Sequence, residues 1–187
     1  MILPIVAYGS QVLKEKAKEI TPDFPNLKTL ISDMFETMYA ARGVGLAAPQ
    51  IGHSIRLFIV DVSPFAEDEP NLEGIKKVFI NPEIIDEEGK EWKFNEGCLS
   101  IPTIREDVLR KPNIKIRYLD EQFKEQEEQI SGLLARVIQH EYDHIEGILF
   151  TDRISQLRKT LIRAKLLNIS KGNLKVDYKM KFPILKK

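Results

Sequence analysis

The chain has 187 residues, of which 43% are hydrophobic and 30% charged, and its 28 basic side chains are matched by 28 acidic ones. That length can enclose a core as one domain, and the balance is that of a soluble globular protein. No apolar run reaches membrane-spanning length, and the first residues lack the basic region and apolar core of a signal peptide, so a cytoplasmic location with no membrane partner is expected. The single cysteine, Cys98, excludes an intramolecular disulfide and suits a reducing compartment.

In chain order, Met1 to Ile20 reads as an extended arm and a helical turn. Pro25-Asn26 offers a helix start, and Leu27, Leu30, Ile31, Met34, Phe35 and Met38 mark one face of a helix ending near Gly43. The next segment, Gly43 to Gly52, crowds small residues around the amide of Gln50. It predicts neither a good helix nor a good strand, and suits either a tight loop or backbone held close to a ligand. Ile55 to Val62 is nearly continuous in apolar residues and predicts a buried strand, followed by an acidic surface loop from Phe65 to Lys77. Val78 to Ile85 predicts a second strand with a bulge or edge at Pro82, and a turn at Asp86 to Gly89 leads to a third, Glu91 to Asn95. Beyond Pro102, the alternation of Ile114, Ile116 and Tyr118, a turn near Asp120 and a short strand to Ile130 are antiparallel in style. Gly132 opens a helix, Ser155 to Asn168 predicts another, and Leu174, Val176, Tyr178, Met180 and Phe182 alternate as a terminal strand.

The helix from Gly132 carries His140, Glu141 and His144 in a His-Glu-x-x-His pattern. Residues four apart share a helix face, so both imidazoles can reach one metal ion while Glu141 points at the ion's open position. Leu133 and Val137 precede them at helical spacing, which places the histidines on an apolar stripe. A catalytic site of this kind needs a third protein ligand. One protease class would supply a histidine six residues after His144, where this chain has Phe150. Another would supply a later glutamate, yet after Glu146 the only acidic residues are Asp152 and Asp177. The best remaining candidate is Cys98 in Glu96-Gly97-Cys98-Leu99-Ser100, although an isolated cysteine is also commonly a small buried hydrophobe. With these three ligands, a divalent ion makes hydroxide available near neutral pH, and Glu141 is placed to act as general base and then general acid.

Three motifs, Gly-x-Gly-Leu-Ala-Ala-x-Gln from Gly43, Glu-Gly-Cys-Leu-Ser from Glu96 and Gln-His-Glu-x-Asp-His from Gln139, together resemble the peptide deformylases, a likeness running from near residue 1 to about residue 155. The resemblance implies removal of the formyl group from N-formylmethionyl peptides at the start of new polypeptides. It implies ferrous iron as the physiological ion, with zinc, nickel or cobalt possible in purified protein. It also assigns Gln50 and the backbone N–H of Leu99 as donors to the formyl oxygen, and places Gly45 in the same site. Val44, Leu133 and Val137 are candidates for an apolar slot that takes the methionine side chain. Two other function classes fit the same histidine pattern: a metalloprotease that cuts internal peptide bonds, and a non-catalytic metal-binding protein, which would need a fourth ligand such as His53.

The fold class expected is α+β, with short antiparallel β-sheets packed around a central metal-binding α-helix and with a C-terminal helix and terminal strand. The chain reads as one catalytic domain over 1–187 with a basic C-terminal extension from about 158. From Arg158 to Lys187 there are ten basic residues, Lys186 and Lys187 included, against Asp177 alone, a net of +9 that the rest of the chain balances. Such a segment is either a solvated face or a docking surface for ribosomal RNA. DNA is not an expected partner. The terminal strand is where this chain should differ from relatives that stop at the helix.

Overall fold

The computed structural model describes residues 1–183, so Lys186 and Lys187 of the basic C-terminus lie outside the described residues. The elements are β1 (Ile5–Val6), α1 (Leu27–Ala40), β2 (Gly45–Ala47), β3 (Leu57–Asp61), β4 (Lys76–Glu88), β5 (Trp92–Cys98), β6 (Ile101–Arg110), β7 (Asn113–Leu119), β8 (Glu125–Ser131), α2 (Gly132–Ile145), α3 (Gln156–Ser170) and β9 (Met180–Lys181). Five strands form an antiparallel sheet in the order β2-β3-β4-β7-β8, β5 and β6 form a separate hairpin, and β1 pairs with β9 in parallel. The architecture is α+β with α2 at its centre. Among the described residues no helix is long and apolar enough to cross a membrane.

The near-continuous apolar run of β3 has a simple cause, since successive side chains point to opposite faces and both faces are buried. Phe58 and Val60 pack with Phe79, Ile116 and the α2 residues Val137 and Ile138. Leu57 and Ile59 pack with Ile31, Met34 and Met38 of α1 on the other side. A third cluster joins Ile162, Leu166 and Ile169 of α3 to Ile101, Ile104 and Val108 of β6.

Several boundaries differ from the sequence reading. Gly43 to Gly52 is more regular than expected: Gly45–Ala47 pairs with β3, and Ala48–Ile51 makes a 3-10 turn. Its small side chains let this backbone run beneath α2. Pro82 does mark a bulge, because the β4–β7 register shifts between Ile80 and Glu83. The third strand is longer than predicted and does not extend the sheet of the second, since β5 turns back onto β6. The terminal strand shrinks to Met180–Lys181. Its alternation survives as burial, with Leu174, Val176, Tyr178, Met180 and Phe182 half-buried between exposed neighbours.

Eleven of the fourteen residues of α2 are buried, so the helix is enclosed on nearly every side. Its C-terminal exit needs Gly147, where φ is +74° and a Cβ would meet the Lys14 carbonyl oxygen at 2.7 Å. Enclosure also buries charged residues, and Arg136 and Asp143 are neutralised in a network that ties the hairpin to the helix. Glu96 of β5 accepts from Arg110 Nε at 2.7 Å and Nη2 at 2.9 Å, and from Arg136 of α2 at 3.0 Å. Arg110 also reaches Asp143 of α2 at 2.7 Å, and Asp143 is paired with Arg153.

Burial penalises the charged form of Glu96, but hydrogen bonds and charge from Arg110 and His140 outweigh it and hold the carboxyl well below its ordinary value of 4.5. A depressed folded pKa stabilises the protein above the unfolded value, and that stability is lost as pH falls toward the folded value. Glu96→Gln is therefore expected to cost about 3 kcal/mol near pH 7, as when one partner of a buried ion pair is removed. The gap should narrow as pH falls below about 4.5. Denaturant unfolding of both proteins across pH in chelator checks this, and a gap that stays constant into strong acid would contradict it.

Candidate active site

His140 and His144 lie one turn apart on α2 with ring centroids separated by 5.2 Å. Cys98 arrives from the other side, at the end of β5, where a register shift after Gly97 tightens the turn into β6. The sulfur is 3.2 Å from His144 Nε2, and ligand atoms of Cys98, His140 and His144 all lie within 4.8 Å of one another. Two ligands that share one tetrahedral zinc stand roughly 3.5 Å apart, so the spacing fits a common ion. Two imidazoles and one cysteine sulfur are donors of the kind a divalent transition metal takes, and three of them would leave a position open.

The hydrogen bonds around these three residues suit such a use. His140 Nδ1 is 2.9 Å from Glu96 Oε2, an arrangement that leaves Nε2 facing Cys98 and His144. Burial works against a charge on His140, but the Cys98 sulfur and the Glu96 carboxylate outweigh it and push the imidazole up to about 10. The Glu96 carboxylate likewise favours a cation in the proton's place. His144 is pushed well down by burial and by the charge on His140, which keeps its lone pair available.

Glu141 is 4% exposed, and its Oε2 is a buried atom with no hydrogen-bond partner. Burial pushes its carboxyl up to about 7. The space it occupies exists because Gly45 has no side chain, since a Cβ there would stand 2.8 Å from the Glu141 carboxyl carbon. Gln50 is 1% exposed, and its orientation is fixed by the Ala47 N–H, which donates to Oε1 at 2.8 Å. Its Nε2 is thereby turned toward Cys98 Sγ and Ser100 Oγ, each at 3.4 Å.

These groups border a cleft of about 780 Å³. Val44, Gly45, Gln50, Cys98, Leu99, Val137, His140 and Glu141 all line it, while His144 lies beneath. Of the three apolar candidates, Leu133 does not line the cleft and packs instead in the core against the sheet. The sequence reading assigned no role to Glu96, Arg110 or Arg136. A signal was present, for Glu96 is two residues before Cys98 and Arg136 is four before His140, on the same face of the helix. It also missed Tyr178, which reaches the cleft from the C-terminal segment.

Comparison with known proteins agrees with this geometry. The family model described as polypeptide deformylase matches residues 2–160. The chain is 60% identical to the peptide deformylase of Christiangramia forsetii, over 100% of this chain and 99% of that protein. A crystal structure of a peptide deformylase from Legionella pneumophila superposes with a TM-score of 0.79 at 42% identity, covering 90% of this chain and 95% of that one. The peptide deformylase from Thermotoga maritima gives 0.75 at 41% identity, covering 83% and 99%. The chain belongs to the polypeptide deformylase family, enzymes that remove the N-formyl group from the formylmethionine of new polypeptides.

Proposed function

We propose that Cys98, His140 and His144 hold one divalent metal ion and that Glu141 is the general base of deformylation. The observation that carries this reading is the pairing of Glu141 with Gly45, a buried carboxylate with a free oxygen kept in place by an absent side chain beside the three donor residues. An ion held there supplies Lewis acidity, polarising the formyl carbonyl and acidifying water. Ferrous iron is the proposed physiological ion on the family likeness, and zinc, nickel and cobalt suit the same donors.

Glu141 accepts a proton from the attacking water and returns it to the departing amine. The new C–O bond and the broken C–N bond then give formate and a free N-terminus. Gln50 Nε2 and the Leu99 N–H serve the negative charge that grows on the formyl oxygen, and loss of one such donor typically costs about 10² to 10³ in rate. Val44 and Val137 line the slot for the methionine side chain, and Leu133 supports Val137 from behind.

We read the chain as one catalytic domain with a basic extension from about residue 158, working in the cytoplasm where formylated chains emerge. The packing of α3 into the same cluster as Cys98 supports a single domain. The extension is proposed to dock on ribosomal RNA. Supporting this, α3 exposes Arg163 and Lys165 to solvent, although Arg158 is taken by Glu106.

Glu141→Gln should retain metal near wild-type content and lower formate release by about 10² to 10⁴, the usual contribution of general acid–base catalysis. Near-normal turnover in the metal-loaded variant would remove Glu141 from the base role. Charge reversal at Arg163, Lys165 and Lys171 should weaken ribosome co-sedimentation at low salt and leave turnover of a short formyl-peptide unchanged. Unaltered co-sedimentation would make the extension a solvated face.

A further inference from the structure

The segment after α3 does more than cover the surface. It turns at Gly172, whose missing side chain leaves room for Phe182 to pack over it, and then packs half-buried Leu174, Met180 and Phe182 beside the α3 cluster. Met180–Lys181 pairs with Ile5–Val6, held by the Ile5 N–H to the Lys179 carbonyl and the Ala7 N–H to the Lys181 carbonyl, both at 2.9 Å. Anchored at both ends, the strap carries Tyr178 to the cleft.

Tyr178 donates its hydroxyl hydrogen to the Leu99 carbonyl at 2.7 Å. The next carbonyl, of Ser100, accepts from the Tyr8 N–H at 2.9 Å. Tyr8 lies two residues after β1 and Tyr178 two before β9, so the small parallel pair brings both donors to consecutive carbonyls of the turn that follows Cys98. With both carbonyls fixed, the turn has little freedom left, and that turn carries the Cys98 sulfur and the Leu99 N–H. The strap lies beyond the stretch matched by the family model, which ends at residue 160.

We propose that Tyr178 is a positioning residue, whose hydroxyl holds the Cys98–Ser100 turn and so sets the Leu99 N–H against the reacting formyl oxygen. Its effect on rate rests on the proposed donor role of Leu99. Tyr178→Phe keeps the ring in the cleft wall and removes only the donor. In the full-length, zinc-loaded enzyme it should lower kcat for a formylmethionyl dipeptide about 3- to 10-fold, the worth of one net hydrogen bond, with KM and zinc content unchanged. The amide resonance of Leu99 in leucine-labelled zinc enzyme should shift, while leucine amides distant from the turn stay in place. Met180→Ala is the control for a merely loosened strap, expected to lower Tm with kcat retained. An unshifted Leu99 resonance in Tyr178→Phe, or an equal loss of kcat in Met180→Ala, would overturn the proposal. A shifted resonance with unchanged kcat would uphold the positioning contact and count against Leu99 as the donor.

Discussion

Glu96 is almost fully buried, and its carboxylate is shared by Arg110, Arg136 and the Nδ1 edge of His140. Burying an unpaired carboxylate would be prohibitive, so these partners determine whether the hairpin can sit on α2 at all. The same contacts orient the His140 ring and bring Cys98, two residues further along the strand, over His144. One buried anion thus links the packing of two elements to the geometry of the proposed metal ligands. Arg110 extends that link to Asp143, placing a second charged pair beneath the histidines.

The enclosure of α2 explains the chemistry as well as the fold. A helix this deeply buried would ordinarily be apolar all round, yet it carries Arg136, Gln139, Glu141, Asp143 and His144 inside the protein. Arg136 and Asp143 are neutralised, and Gln139 bonds backbone carbonyls at 3.1 Å. The buried atoms without partners include Glu141 Oε2 and His144 Nδ1. Trp92 Nε1 and Arg136 Nε are unpartnered as well, and Glu141 Oε2 differs from them in being a free carboxylate oxygen beside Cys98, His140 and His144. In the proposed mechanism, Glu141 is the group that must exchange a proton and so cannot be tied down.

Much of this was legible in the sequence because its signals are local. The face of α1, the buried run of β3, the alternation of β7 and the His-Glu-x-x-His spacing each depend on short-range periodicity. The pairing of Cys98 with two histidines more than forty residues later was reached through ligand elimination and family likeness, and the geometry brings them together. What was not legible is set by long-range pairing. Gly45–Ala47 becomes a strand because β3 lies alongside it, a partnership its small residues do not announce. Met180–Lys181 stops after two pairs because its partner β1 is equally short, although the side chains of the whole segment still alternate in burial. The Tyr178 hydrogen bond joins residues 79 apart in sequence, beyond the reach of any motif.

The proposed mechanism depends on Cys98 completing the metal site. Cobalt substitution tests it directly, because a thiolate bound to Co(II) gives a ligand-to-metal charge-transfer absorption that nitrogen and oxygen ligands do not. Anaerobically prepared wild-type protein should take up one equivalent of cobalt and show that band, and Cys98→Ala should lose it together with most of its metal affinity. A wild-type cobalt protein without the band, or a Cys98→Ala variant that binds one equivalent as tightly and remains active, would contradict the ligand assignment.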